Sequence, residues 1–172
     1  MEFVHVELKR DTWVYPEMKV ETPYDAVKAV KELLQDMDRE IVVCINMAAS
    51  GRVINASVCS VGTSNMALIS PAGILKTGIL SGANCLLMIH NHPSGNLTPS
   101  REDIMTTDKM IKAYRLLDIQ VLDHIIIGPD RQFYSMRARD TFDLPGSDYC
   151  AVLNDLRFDD LKPRHPDRGE AR

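Results

Sequence analysis

Residues 85–103, CLLMIHNHPSGNLTPSRED, decide how the centre of this chain folds. The first five residues, 85–89, are all apolar, as is typical of a strand that is buried on both faces of a sheet. The Pro-Ser-Gly sequence at 93–95 predicts a turn, and Ser100 predicts the start of a helix. The stretch therefore predicts a strand, a short loop and a long helix in succession.

The two histidines at the end of this strand can converge on one metal ion. His90 and His92 are two residues apart, and strand residues at this spacing point to the same face. Asp103 falls in the first turn of the predicted helix, where the helix dipole stabilises a carboxylate. Two histidines and one carboxylate with an open fourth position are typical of a hydrolytic zinc site. We therefore predict that these three side chains bind a single divalent ion, with zinc as the expected metal.

Each of these residues also has a purely structural explanation. Ser100 and Asp103 have the spacing of a capping box, in which each side chain accepts a hydrogen bond from the other residue's backbone N–H. A lone strand-end histidine such as His90 is more often a hydrogen-bonded structural residue. The metal site is favoured by the combined order of HxH, a Pro/Gly loop and Ser-x-x-Asp.

The rest of the chain predicts an α/β domain with a mixed sheet flanked by helices. Thr22 and Pro23 predict a helix start, and helically spaced apolar residues extend this helix to about Met37. A short helix is predicted after Pro71, ending near Gly82. Further strands are predicted at 41–47, 53–61, 66–69, 121–128 and 133–135.

The predicted domain covers residues 23–145. Residues 1–22 form an N-terminal extension with an expected edge strand, and residues 146–172 a weakly structured tail.

Composition narrows the class of protein. The chain has 172 residues, of which 45% are hydrophobic and 26% charged, as in a soluble globular domain. No apolar run approaches the roughly 18 residues of a membrane span, and no signal-peptide pattern is present, so we expect a cytoplasmic protein without a membrane partner. The four cysteines form no CxxC pair and are expected to be reduced. The net charge of −4 argues against general nucleic-acid binding but allows a local basic patch.

Residues 90–103, HNHPSGNLTPSRED, resemble the JAMM motif of the MPN (JAB) domains and, more narrowly, that of the RadC-like family. Residues 60–63 and 122–128 resemble two further signatures of this family, and the similarity extends over about 24–137. The resemblance implies an MPN fold. It also implies a metallopeptidase or isopeptidase activity on an unknown protein or peptide, and, from the family's name, a DNA or DNA-repair partner.

The resemblance also assigns roles within the site. It implies one zinc ion held by His90, His92 and Asp103, with Ser100 beside it. The hydroxyl of Ser100 is expected to donate to a developing oxyanion, a role that is compatible with capping the helix.

Peptide hydrolysis at a metal also needs a general base, which the JAMM pattern supplies as a glutamate upstream of HxH. Counting back from residues 62–63, this chain has Ser57 where related chains carry that glutamate. Ser57 can hydrogen-bond a water molecule but cannot accept its proton as a carboxylate does, and its explanation as a small polar strand residue is favoured. No Asp or Glu occurs from Ile41 through Arg101.

Two glutamates border the segment that lacks carboxylates. Glu40 precedes the first core strand and is expected to be a solvated strand end. Glu102 is adjacent to Asp103, and adjacent helix positions point apart. The sequence therefore leaves three functions open: a JAMM-type zinc hydrolase, which is preferred, a metal-bearing binding module associated with DNA repair or mobile elements, and a hydrolase of a less demanding bond or of a nucleotide.

Three further residues near the motif receive predictions. Asp123 and His124 begin the strand after the long helix; a structural role, such as a buried hydrogen bond, is favoured over a contact behind the ligands or a weak metal site. Asn91, between the two histidines, is expected to point away from the ion and toward the neighbouring backbone.

Overall fold

The computed structural model describes residue 9 and residues 18–34, 37–62, 71–129 and 132–139. Within these ranges the elements follow in the order α1 (Pro23–Leu34), β1 (Ile41–Met47), β2 (Val53–Val61), α2 (Pro71–Ser81), β3 (Cys85–Asn91), α3 (Arg101–Arg115), β4 (Gln120–Ile127) and β5 (Phe133–Ser135). This order confirms the predicted α/β class. The predicted strand at 66–69 and the tail at 146–172 lie outside the described residues.

The described strands form one mixed sheet in the order β2-β1-β3-β4-β5. β1 pairs antiparallel with both β2 and β3, β3 pairs parallel with β4, and β5 runs antiparallel to β4. A parallel pair needs a crossover connection, which α3 provides between β3 and β4. The carboxyl end of β3 and the amino end of α3 are joined by the loop at 92–100.

Helices cover both faces of the sheet. α1 packs on one face, and α2 and α3 pack on the other. Every residue of β1 and β3 is buried, which explains why both strands are almost continuously apolar in sequence. His90 lies on the α2/α3 face, two residues beyond Met88 of the core on that side.

Local sequence explains where the first helix begins. Thr22 and Asp25 form a capping box, with the Thr22 N–H donating to Asp25 Oδ2 at 2.8 Å and the Asp25 N–H donating to Thr22 Oγ1 at 3.3 Å. The predicted start of α1 is therefore confirmed; the helix is described as far as Leu34, and residues 35–36, just before the predicted end near Met37, lie outside the described residues. Of the extension at 1–22, the structure describes residues 9 and 18–22, in which Lys19 forms an isolated bridge with Arg52 beside β2.

The described cysteines, Cys44, Cys59 and Cys85, are all free thiols, as expected. None of the three described helices has the length and apolar character of a membrane span.

The close approach of α2 and α3 depends on the absence of a side chain at Gly78. A Cβ at this position would lie 2.6 Å from the hydroxyl oxygen of Tyr114, which is fully buried and donates to the carbonyl of Ile74. We expect Gly78→Ala to lower the free energy of unfolding by about 1–3 kcal/mol through overpacking. Urea denaturation of this variant and of the exposed control Lys76→Ala measures the difference. Equal stability of the two variants would contradict the prediction.

Candidate metal centre

The end of β3 and the start of α3 bring the three predicted ligands together. Nε2 of His90 lies 2.9 Å from Nε2 of His92, so the two rings converge as their spacing predicted. The Asp103 carboxylate completes the group, with Oδ1 3.3 Å from His90 Nε2 and Oδ2 3.7 Å from His92 Nε2. Among the described residues, these three form a group that could hold a metal ion.

The separations of the donor atoms fit a zinc ion. Tetrahedral zinc with bonds of 2.0–2.2 Å places its ligand atoms about 3.3 Å apart, and the observed separations lie between 2.9 and 3.7 Å. Nδ1 of His92 contacts the carbonyl oxygen of Asn96, which can only accept, so Nδ1 is the donor and, in the neutral ring, Nε2 carries a lone pair. The Nε2 lone pair of neutral His92 faces the His90 ring and the Asp103 carboxylate. Electron-rich atoms at these distances repel one another, and a cation bound between them would relieve this repulsion.

Ser100 fixes the third ligand in place. It is the N-cap of α3, and Asp103 Oδ2 accepts from both its backbone N–H at 2.8 Å and its hydroxyl at 2.6 Å. The Asp103 N–H in turn donates to the Ser100 hydroxyl oxygen at 3.1 Å. The capping box is therefore the same set of hydrogen bonds that places Ser100 beside the predicted metal ligand. In it, the Ser100 hydroxyl donates its hydrogen bond to the Asp103 carboxylate.

The charges of the site favour the metal-binding forms of its side chains. Burial lowers the pKa of His90 well below its usual value, with His124 adding to this effect and Asp103 opposing it. Burial alone would raise the pKa of Asp103, but the contacts with His92, His90 and Ser100 outweigh burial and lower it. At neutral pH, Asp103 is a carboxylate and His90 a neutral imidazole, as a metal requires of these groups.

His92 differs from His90 because its side chain is slightly more exposed, at 11% against 1%. The hydrogen bond to Asp103 raises the pKa of His92, burial opposes this, and the charge of Glu40 adds to the raise. The last contribution indicates that the Glu40 carboxylate lies close enough to act on His92.

The strand register explains why Glu40 is beside the site. Val42 of β1 pairs with His90 of β3 in an antiparallel ladder, and Glu40 and His92 come directly before β1 and directly after β3. If the strand alternation continues for these two residues, the register brings Glu40 next to His92, in agreement with the effect of its charge on that histidine. Glu40 is partly buried, and its carbonyl accepts from the Gly62 N–H at 2.8 Å.

Asn91 holds the backbone on both sides of Glu40. Its Oδ1 accepts from the Ile41 N–H at 2.7 Å, and its Nδ2 donates to the Arg39 carbonyl at 3.0 Å. The prediction that Asn91 points toward the neighbouring backbone is confirmed. Because Asn91 lies between the two histidines in sequence, it ties the position of Glu40 to theirs.

Ser57 occupies a different row of the sheet from the ligands. It pairs with Cys44 of β1, which pairs in turn with Met88 of β3. The row that contains His90 continues through Val42 to Ser60. Glu102, the other glutamate considered from the sequence, is exposed on the first turn of α3.

His124 of β4 lies directly behind His90. Its Nε2 is 2.8 Å from His90 Nδ1, and its Nδ1 contacts the hydroxyl of Thr107 on α3. Burial lowers the pKa of His124 to about 4. The contact with His90 therefore places His124 behind a predicted ligand, the alternative that the sequence did not favour.

Asp123 has the structural role that the sequence favoured. Its Oδ1 accepts from the backbone N–H groups of His124 at 2.7 Å and Arg137 at 3.0 Å, and its Oδ2 accepts from the Ser135 hydroxyl. These bonds attach the end of β5 to β4. Burial raises the pKa of Asp123 to about 6, against the opposing effect of these hydrogen bonds.

The raised pKa of Asp123 predicts a pH-dependent stability. The folded protein holds this proton up to pH about 6, whereas an unfolded Asp loses it near pH 3.9. The stabilisation is therefore complete below pH about 4 and is lost as the pH rises through about 6, a change of about 3 kcal/mol. We expect Asp123→Asn, which retains the shape of the side chain, to lack this dependence. Urea unfolding of both proteins from pH 4 to 7 tests this, and parallel stability curves would contradict it.

Fold and site together define a class of protein: α/β domains in which a strand end and a helix start present a His-His-Asp group. The chain belongs to the RadC-like JAB domain family, whose model matches residues 20–141. The resemblance drawn from the sequence and the predicted MPN-type fold class are thereby confirmed.

Relatives in bacteria and archaea support this assignment. The chain is 38% identical over 120 residues to a UPF0758 protein from Desulforamulus reducens, covering 70% of this chain and 52% of that protein. It is 36% identical over 116 residues to one from Methanosarcina barkeri (67% and 51% covered), and 37% identical over 127 residues to one from Staphylococcus haemolyticus (74% and 55%). The chain thus spans about half the length of the curated relatives it matches.

Proposed function

We propose that this domain is a zinc-dependent hydrolase that cleaves peptide or isopeptide bonds. The observation that carries the proposal is the convergence of His90, His92 and Asp103, and the charge of the Glu40 carboxylate acts on one member of this group, His92. A metal site and an adjacent carboxylate are the two components that amide hydrolysis requires.

His90, His92 and Asp103 would hold the ion through two imidazole nitrogens and one carboxylate oxygen. When bound, zinc supplies Lewis acidity, lowering the pKa of a water ligand to about 7 and polarising a substrate carbonyl. The fourth position would be left for water and substrate.

Glu40 supplies the proton acceptor that the segment from Ile41 through Arg101 lacks. Its carboxylate would take a proton from the attacking water and return it to the leaving amine. Ser57 cannot accept a proton as a carboxylate does, so Glu40 is the better candidate. Asn91 would keep the Glu40 backbone in register during these transfers.

Ser100 would act first on Asp103, whose carboxylate it orients. A donation from its hydroxyl to a developing oxyanion would need the hydroxyl proton to turn from Asp103 toward the substrate. The oxyanion role of Ser100 therefore stays a prediction.

Hydrolysis by zinc-loaded protein tests the proposal. Purified protein with one equivalent of zinc is incubated with a panel of peptides and isopeptide-linked conjugates, and products are followed by mass spectrometry. We expect cleavage that disappears on chelation and returns with zinc. Tight zinc binding without cleavage of any substrate would instead favour the metal-bearing binding module, for which salt-dependent binding of DNA is the corresponding assay.

A further inference from the structure

A chain of hydrogen bonds behind the ligands runs in one fixed direction from α3 to His90. It begins at Thr107, whose Oγ1 lies 2.6 Å from the backbone carbonyl oxygen of Asp103. A carbonyl oxygen can only accept, so Thr107 donates its single hydroxyl proton to Asp103. The same Oγ1 contacts Nδ1 of His124, and this second contact must then be a hydrogen bond donated by His124.

The direction continues through His124 to the metal ligand. A neutral imidazole has one N–H and one bare nitrogen. With its proton on Nδ1, His124 presents a bare Nε2 to His90 Nδ1 at 2.8 Å, and His90 must be the donor. His90 then carries its proton on Nδ1, and its Nε2 lone pair points toward His92 and Asp103.

We propose that Thr107 and His124 are positioning residues that fix His90 in the tautomer able to bind a metal. The inference rests on the proposed metal site but concerns different residues. Thr107 and His124 are 2% and 1% exposed, and His90 is 1% exposed, so water cannot easily replace a missing partner. This series of hydrogen bonds also links two of the predicted ligands, because it begins at the backbone carbonyl of Asp103 and ends at the ring of His90.

Removal of the Thr107 hydroxyl should reverse the direction of the hydrogen bond between His124 and His90. His124 Nδ1–H would then lack its acceptor, which is costly in a buried site. The opposite tautomer of His124, with its proton on Nε2, would donate to His90 Nδ1. The proton of His90 would move to Nε2, the atom that faces the metal position.

Three variants of α3 separate this role from a packing role. Thr107→Val preserves the shape of the side chain but removes the hydroxyl, and Thr107→Ser preserves the hydroxyl. Thr106→Val makes the same chemical change one position earlier, on a partly exposed side chain. We expect zinc affinity, measured by competition with a chromophoric chelator, to fall about 10- to 100-fold in Thr107→Val. Thr107→Ser and Thr106→Val should retain the wild-type affinity.

The tautomers themselves can be measured without any variant and without metal. Nitrogen-15 NMR of the metal-free wild-type protein should show the Nδ1–H form of both His90 and His124, and Thr107→Val should show the Nε2–H form of His124. An Nε2–H form of His124 in the wild type, or unchanged zinc affinity in Thr107→Val, would overturn the inference. Failure of the wild type to bind zinc would overturn the proposed function instead, while the NMR result would still decide the tautomers.

Discussion

Substitution of Glu40 by Gln should abolish most hydrolytic activity while leaving zinc bound. The amide has nearly the shape of the carboxylate but cannot accept the proton of the attacking water. Loss of a general base typically lowers the rate by 10²- to 10⁴-fold, and we expect kcat to fall by about that factor. Zinc affinity should change little, because the three ligands remain. Steady-state kinetics on a cleaved substrate, together with metal analysis, measures both quantities.

Glu102→Gln is the matched control for this prediction. It makes the same chemical change on an exposed side chain next to Asp103. We expect it to retain wild-type kcat and zinc content. Full activity in Glu40→Gln, or equal losses in the two variants, would show that Glu40 is not the general base.

Substitution of Asp103 by Asn should nearly eliminate zinc binding. The amide retains an oxygen that can accept from the Ser100 N–H, so the helix start is preserved, but the site loses its one negatively charged ligand. Loss of a residue behind a ligand costs 10- to 100-fold in metal affinity, and loss of a ligand itself should exceed about 100-fold. Isothermal titration with zinc and thermal unfolding with and without zinc measure the effect.

Asp108→Asn provides the comparison on the same helix. Asp108 is exposed and pairs with Lys112 at 2.7 Å, an interaction of small expected energy. This variant should bind zinc as the wild type does. Wild-type zinc affinity in Asp103→Asn would show that residues other than Asp103 complete the zinc site.

The grouping of His90, His92 and Asp103 could be predicted from sequence because its geometry is local. The HxH spacing at a strand end fixes the direction of both rings, and a short loop brings the first turn of α3 to them. The same locality allowed the prediction for Asn91, which is confirmed by its bonds to Arg39 and Ile41. These features require only the strand period and the helix-start pattern.

The sequence alone did not favour Glu40 as a site residue because its position relative to the histidines depends on pairing between distant segments. It is 52 residues from His92 in sequence, and its isolated context at a strand end is typical of a solvated charge. A signal was nevertheless present: a buried apolar strand beginning directly after an acidic residue, with an antiparallel neighbour that ends in HxH. Only the register of β1 on β3 converts that signal into a position.

The residues behind the ligands show the same limit. Thr107 and His124 lie on α3 and β4, and their contact depends on how the helix packs on the strand. The Asp123-His124 pair was visible in the sequence, but its two members have different roles. Strand alternation places the His124 side chain toward α3 and the Asp123 side chain on the opposite face, where it binds the end of β5.

The central claim is that His90, His92 and Asp103 hold one zinc ion. A crystal structure of the zinc-loaded protein, with anomalous diffraction recorded on both sides of the zinc absorption edge, tests it most directly. We predict one anomalous peak, bonded to Nε2 of each histidine and to a carboxylate oxygen of Asp103, with Glu40 facing its open position. Absence of a peak there at saturating zinc, or a peak bound by other residues, would contradict the account.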